Sequence, residues 1–246
     1  MKKMIAILVA AMLLWSGAAF ADTLVMGTNA EFPPFEFIGD EGVPTGFDVE
    51  LMQLIAEELG KELVIENMFF DGLIAALTMG DIECIAAAMT ITGERQQVVN
   101  FSTPYFNATQ AVVVMKGYDG IQSLDDLADK KIAVQDGTTG HFMVADDLGC
   151  DAANISSFKA SPDTVLELVN GRVDCIVIDN AVAENFLLMN DNLAIVQGLD
   201  MPIEQYGIAI SKDNEELLEG VNAALAKIVE EGKYDELIGK YFTAAE

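Results

Sequence analysis

The sequence predicts an α/β protein of two similarly built lobes, each a mainly parallel sheet flanked by helices. Three observations predict it. Short apolar runs alternate with helix-patterned stretches along the chain. The segment LTMGDIECI at 77–85 is echoed by LVNGRVDCI at 168–176, and each reads as a helix end, a Gly cap and a buried strand. No stretch rich in Pro, Gly or Ser separates the two copies, so strands rather than a loose tether are expected to join the lobes. The echo is short enough that recurring helix–Gly–strand chemistry could also produce it.

Residues 23–28 read as a strand and 47–59 as a helix, with Leu51, Leu54, Ile55 and Leu59 as its apolar positions. Strand 62–66, helix 72–79 with Asp71 as N-cap, strand 82–88 and helix 93–99 follow, and then a long apolar run at 109–115. The second set begins with a helix capped by Ser123, then strand 131–135, helix 139–147 and strand 155–158. Helix 162–170 has Ser161 as N-cap and Pro162 at its first position. Strand 173–178, helix 180–189 and strand 193–196 complete that set. Residues 206–210 form one more strand, and helices 214–231 and 234–241, parted by Gly232, end the chain.

The N-terminus reads as an export signal. Lys2 and Lys3 precede an apolar run at 4–15, and Ala19-Phe20-Ala21 has the small-x-small pattern of a cleavage site. Residues 1–21 are therefore expected to be removed after Ala21. The apolar run is shorter than the about 20 residues that a membrane span needs. No Cys adjoins the cleavage site, so no lipid anchor is expected. The mature chain is expected in a periplasm, without stable membrane insertion.

Thirteen basic residues face 40 acidic ones, a formal net charge of −27, and loss of Lys2 and Lys3 makes it two units more negative. Such a chain repels phosphate backbones and anionic lipid, which excludes nucleic-acid partners. The acidity suits a soluble surface, and would also attract a cationic ligand. Cys84, Cys150 and Cys175 are odd in number, contain no C-x-x-C, and lie far in sequence from the single His141. No metal site and no cofactor are expected. Cys84 and Cys175 sit inside apolar runs as small buried hydrophobes.

The most informative segment is 86–106, AAAMTITGERQQVVNFSTPYF. An apolar strand ends in a Thr-rich turn, and Arg95 stands at the start of a short helix. In a chain so poor in basic residues, a guanidinium at a strand-to-helix junction points to anion binding. Arg95 can clamp a carboxylate through two parallel hydrogen bonds, with Thr90 and turn N–H groups as further donors.

This segment, with TNAEFPPFEF at 28–37 and QDGTTG at 135–140, resembles the family 3 extracellular solute-binding proteins, the polar amino-acid receptors of bacterial ABC importers. The resemblance covers nearly all of the mature chain. It implies a type II periplasmic-binding-protein fold, with lobe 1 at 22–108 and 207–246 and lobe 2 at 109–206. Crossovers near 107–110 and 204–207 would form a two-strand hinge, with the ligand in the cleft at the carboxyl ends of strands. It further implies a monomeric receptor, not an enzyme, that captures a polar L-amino acid and delivers it to an ABC permease with its ATPase.

Such a ligand needs donors for its carboxylate, a carboxylate for its ammonium and a fitted wall for its side chain. Arg95 and Thr90 match the family's carboxylate binders, and Asp179 matches the ammonium acceptor. Asp179 also suits an N-cap for the helix beginning at Asn180, and both roles could hold together. Asn29, Phe32 and Phe70 match wall positions. Packing of Phe32 against Phe35 and Phe37, and of Phe70 into the core, are the structural alternatives. Gln135 and Thr139 match ligand-facing positions of the second lobe.

Several positions depart from well-known members. Asn29 stands where glutamine and basic-amino-acid receptors usually carry Asp, and Ala88 where Gly or Ser is common. Gln135 replaces a Lys seen in glutamine receptors, and Ile178 a polar neighbour of the ammonium acceptor. Asn29 and Gln135 are uncharged, so the pocket leans toward a neutral polar amino acid unless Glu31 or Glu36 reaches inward. Some exported proteins of this fold instead dehydrate a cyclohexadienyl acid. That alternative needs an extra acid or base in the cleft; none stands out beyond Asp179, and His141 reads as a helix-surface residue.

Overall fold

The computed structural model describes residues 22–242, and the signal peptide assigned to 1–21 lies outside them. The chain begins with β1 (Thr23–Thr28) and a small antiparallel sheet of β2 (Glu31–Phe32), β3 (Glu36–Ile38) and β4 (Pro44–Thr45). Then come α1 (Phe47–Glu58), β5 (Glu62–Asn67), α2 (Leu73–Met79), β6 (Cys84–Ile85), α3 (Arg95–Val98) and β7 (Val99–Phe101). The middle part runs β8 (Phe106–Met115), β9 (Ile132–Gln135), α4 (Thr139–Phe142), β10 (Ile155–Phe158), α5 (Ser161–Val169), β11 (Cys175–Asp179), α6 (Asn180–Met189), β12 (Leu193–Ile195) and β13 (Ile203–Tyr206). The chain then returns through β14 (Ala209–Ser211), α7 (Glu215–Glu230) and α8 (Lys233–Tyr241).

Two sheets carry the fold. The first has the order β5-β1-β6-β14-β7, and the second β10-β9-β11-β8-β12 with β13 added to β8. The parallel pairing expected from strand–helix alternation holds in β5-β1-β6 and β10-β9-β11. The remaining pairs are antiparallel, because the chain crosses between sheets twice and its crossing and returning strands run the other way. The crossing strands β8 and β13 pair with each other, Tyr206 opposite Phe106 and Ile203 opposite Thr109.

Period-2 patterning explains why the apolar runs are buried on both faces. Ala111, Val113, Ile176 and Ile178 join the core beneath α5 and α6, whereas Val112, Val114, Cys175 and Val177 pack with Met143 and Val144 on the other face. In the first sheet, α1 and α7 cover one side, while Leu73 and Leu77 of α2 pack with Ile85, Met89 and Val99 on the other. Each fully buried aliphatic side chain stabilises the fold by about 1.5–3 kcal/mol. Phe35, Phe47, Phe106, Tyr206 and Phe242 form an aromatic cluster against the crossing strands, with Phe35 and Phe106 centroids 4.9 Å apart. The echoed segments are indeed two helix ends, with Gly80 and Gly171 left-handed, each leading to a buried strand. All three cysteines are free and buried. Among the described residues no helix is long and apolar enough to cross a membrane.

Several elements differ from the sequence expectation. The strand at 206–210 is two strands in two sheets, parted at Gly207, whose N–H bonds to Met89 O. Helix 93–99 is a single turn, because Val99 becomes extended to pair with Ser211. Helix 139–147 is α4 followed by a wider π turn over Met143–Asp147. Strand 82–88 pairs with β1 only around Cys84–Ile85. Beyond it Ala88 adopts φ 45°, and its N–H leaves the ladder to donate to Asp48 Oδ2 at 2.7 Å. Asp71 is not a helix cap. It lies in the 3-10 turn Phe70–Gly72 and pairs with Lys159 of the second-sheet half. Ser161 is the first residue of α5 rather than its cap, and its hydroxyl donates to Glu31 O at 2.5 Å across the cleft.

Candidate functional site

Where the carboxyl ends of β1, β6, β9 and β11 converge lies a small, tightly lined cavity with room for about 10 Å³. Every site residue named from the sequence lines it: Asn29, Phe32, Phe70, Ala88, Thr90, Arg95, Gln135, Thr139 and Asp179. Glu36, Ala87 and Thr138 complete the wall. Asn29 follows β1, Ala88 and Thr90 follow β6, Gln135 and Asp179 end β9 and β11, and Thr139 opens α4. Strand termini thus carry most of the polar groups, which is where a parallel sheet exposes backbone and side chains to a ligand.

Arg95 is buried on α3. Its Nη1 donates to Thr90 O at 2.7 Å and its Nη2 to Gly137 O at 3.0 Å, a bond that spans the two halves. The guanidinium lies 5.3 Å from the Phe70 ring centroid, and the half-buried Phe70 also packs on the edge of the core cluster that contains Leu73, Leu77 and Met89. Burial draws the Arg95 pKa below its ordinary value, opposed by Asp179, Glu204 and Glu94. A guanidinium carries five N–H donors, so capacity remains for an anion in the cavity.

Asp179 is also buried in the cavity wall. Its Oδ1 accepts from Tyr206 Oη at 2.6 Å, and it makes no side-chain cap on α6. Burial pushes its pKa up to about 7, with Tyr206 lowering it and Glu204 raising it. A cation beside it would restore the ionised form.

The amides expected to read the ligand side chain line the cavity and are bonded to each other. Gln135 Nε2 donates to Asn29 Oδ1 at 2.8 Å, and Asn29 Nδ2 donates to Met68 O at 3.0 Å. They form a latch between the halves. The Thr90 and Thr139 hydroxyls both donate to Glu204 Oε2, at 2.8 and 2.7 Å. Each hydroxyl has one proton, so these donors already hold a carboxylate. Lys159 closes the rim by pairing with Asp71 and Asp136. His141 is partly buried, 3.4 Å from Asp136 and stacked on Phe142, outside the cavity lining.

The sequence reading did not place Asp48, Glu204 and Tyr206 at the site, and named Glu36 only as a residue that could reach inward. Glu204 and Tyr206 lay within the expected crossover, but strand pairing alone does not say which carboxylate turns toward the hydroxyls. Glu36 sits between two phenylalanines, and that alternation was the available signal of a strand with one polar face. Among the described residues no group of His, Cys, Asp and Glu could hold a metal ion.

Residues 24–244 match the family model described as bacterial extracellular solute-binding proteins, family 3. A probable histidine-binding protein of Neisseria gonorrhoeae is 39% identical over 220 residues, 88% of this chain and 82% of that protein. A solved structure of an ancestral arginine-binding protein bound to arginine superposes with a TM-score of 0.84 at 43% identity, covering 91% of this chain and all of that one. The ancestral amino acid-binding protein AncCDT-1, a precursor of cyclohexadienyl dehydratase, gives 0.83 at 36% identity, over 90% of this chain and 96% of that one.

Proposed function

Because the chain belongs to the bacterial extracellular solute-binding proteins, family 3, we propose that it captures a polar L-amino acid in the periplasm and delivers it to an ABC permease with its ATPase. The observation that carries this reading is the presence of a buried Arg95 and a buried Asp179 in the lining of one cavity. A free amino acid presents a carboxylate and an ammonium on one carbon, and these two residues offer the complementary charges. Arg95 takes the α-carboxylate and Asp179 the α-ammonium. Phe32 and Phe70 flank the side chain. Thr90 and Thr139 add donors to the carboxylate when Glu204 releases them.

Residues 22–108 with 207–246 act as one lobe and 109–206 as the other, swinging about β8 and β13. The Gln135–Asn29 and Arg95–Gly137 bonds then hold the closed form. Residues 1–21 are the export signal, and the mature protein works as a monomer. It is a receptor rather than an enzyme. The relatives named for histidine and arginine support the class, and AncCDT-1 is itself named an amino acid-binding protein. Incubation with prephenate or arogenate should leave both unchanged.

A thermal-shift screen of the twenty amino acids tests the reading. Ligand at a hundred times its Kd adds about 2.7 kcal/mol, or roughly 5–10 °C in Tm for a chain this size. If no amino acid moves the Tm, the reading fails.

A further inference from the structure

We propose that Glu204 is a built-in rival of the ligand's α-carboxylate, which holds the Thr90 and Thr139 hydroxyl protons from outside the cavity and so sets the receptor's affinity below what its donors could give. This rests on the reading of Arg95, Thr90 and Thr139 as the carboxylate end of the site. Thr90 Oγ1 donates to Glu204 Oε2 at 2.8 Å, and Thr139 Oγ1 donates to the same oxygen at 2.7 Å. Both threonines line the cavity, whereas Glu204 does not. Glu204 lines two open grooves outside it, one shared with Thr90, Thr139 and Gln205, the other with Arg95, Thr139 and Pro202. A threonine hydroxyl carries one proton, so it can donate into the cavity or to Glu204, not to both.

The register of the crossing strands fixes this placement. Glu204 stands opposite Ala108 in the β13–β8 pairing, and two residues on, Tyr206 stands opposite Phe106. Alternation puts Glu204 and Tyr206 on one face of β13. Tyr206 reaches Asp179 at the ammonium end, and Glu204 reaches the two threonines at the carboxylate end. Ile91 N–H bonds to Gln205 O at 2.8 Å and Thr90 bridges to Tyr206, so the turn that carries Thr90 is pinned beside β13. Thr139 arrives from the other half, at the start of α4. One oxygen of Glu204 therefore joins both halves to a crossing strand.

An incoming α-carboxylate meets donors already in use and a fixed negative charge beside them. That charge also acts on Arg95, where it favours the cationic form, and on Asp179. Arg95 is thus partly balanced before a ligand reaches it. The cavity has room for about 10 Å³, about one water, so an amino acid enters only as the walls part. Parting the halves separates Thr139 from Thr90 and breaks the shared acceptor. As the halves close on a ligand, its carboxylate and Glu204 compete for the same two protons. Release is eased in turn, because the departing carboxylate leaves neither hydroxyl without an acceptor.

A purely bracing role for Glu204 predicts the opposite sign. If the shared oxygen served only to hold the halves together, its loss would weaken binding. The Gln135–Asn29 and Arg95–Gly137 bonds span the halves without Glu204, so closure survives its replacement.

Calorimetric titration of the full mature chain, stripped of co-purified ligand, compares wild type with Glu204→Gln, which removes the charge, and Glu204→Ala, which removes the acceptor as well. The probes are L-histidine, L-arginine and L-glutamine, or whichever of the twenty amino acids most raises the wild-type Tm, each beside its α-carboxamide. The carboxamide keeps the amino group and the side chain and brings no anion. For the amino acid that binds wild type most tightly, both variants should lower Kd by about three- to tenfold. The matching carboxamide should gain less than about twofold, because Glu204 has no anion to oppose. Unchanged or weaker binding of the amino acid in a folded variant would overturn the proposal, and so would an equal gain for acid and carboxamide. Where the carboxamide does not bind measurably, the direction of change for the amino acid decides alone. Failure of both variants to fold, read from thermal melts, would make Glu204 a brace and also overturn it. Each of these outcomes leaves the receptor reading intact, whereas failure of every amino acid to bind wild type would sink that reading and this proposal together.

Discussion

Replacing Arg95 with alanine should separate binding from folding. Its guanidinium donates to two carbonyls, Thr90 O at 2.7 Å and Gly137 O at 3.0 Å, and lies over the Phe70 ring. Hydrogen bonds from a charged donor contribute about 1.5–3 kcal/mol each. Removing a buried cation also removes its desolvation penalty, so the net loss of stability should be only about 1–2 kcal/mol. That lowers Tm by about 2–8 °C for a protein of this size. Binding suffers far more. The ligand carboxylate would enter a closed cavity with no cation to meet it, costing about 3–5 kcal/mol, or roughly 10²–10⁴ in Kd. Arg95→Lys keeps the charge but loses the planar fork, and should fall between. Titration calorimetry with the amino acid that most raises the wild-type Tm measures the affinities, and thermal melts measure the fold. An Arg95→Ala protein that is folded and binds within tenfold of wild type would show that Arg95 does not hold the carboxylate.

Asp179→Asn should weaken binding by about 10–100-fold, because a neutral amide replaces the counter-ion of the ligand ammonium; an unchanged Kd would remove that role. Gln135→Ala removes the 2.8 Å bond to Asn29 across the cleft. Affinity should fall several-fold and small-angle scattering should show a larger radius of gyration for the ligand-free protein, whereas identical curves would deny the latch. Glu36, Asp48 and Asp179 all have raised pKa values through burial, Asp48 to about 6 and Asp179 to about 7. The folded chain therefore binds more protons than the unfolded one between the ordinary carboxyl value of about 4 and these raised values. Their contribution to stability is fully present below about pH 4; the part from Asp48 and Asp179 is lost as pH rises through about 6 and about 7, and the part from Glu36 as pH rises through its own raised value. Ligand-free melts across this range should show a Tm decline that is smaller in Glu36→Gln; an equal decline in both proteins would mean that Glu36 does not hold its proton.

Local chemistry determined much of this protein without reference to its fold. Helix ends written as Gly80 and Gly171 before apolar runs, and the alternation that divides CIVID between two faces, act over a few residues and were legible in the sequence. Arg95 at a strand-to-helix junction was legible for the same reason, as were the turn residues now found around one cavity. What escaped was set by distant partners. Residues 206–210 carry strand propensity throughout, but only the two sheets decide that Tyr206 pairs with Phe106 and Ala209 with Ile85. Asp71 had the chemistry of a cap, and Lys159 from the other half claimed it. Asn29 and Gln135 carry amides that could meet many partners, and only the tertiary structure brings them within 2.8 Å of each other. The burial of Glu36 beside Asp48 is decided by tertiary structure, because β3 and the start of α1 must be tied together to bring the two carboxyls into contact. Their interaction acts through space at a site shielded from water, and local propensity does not encode it.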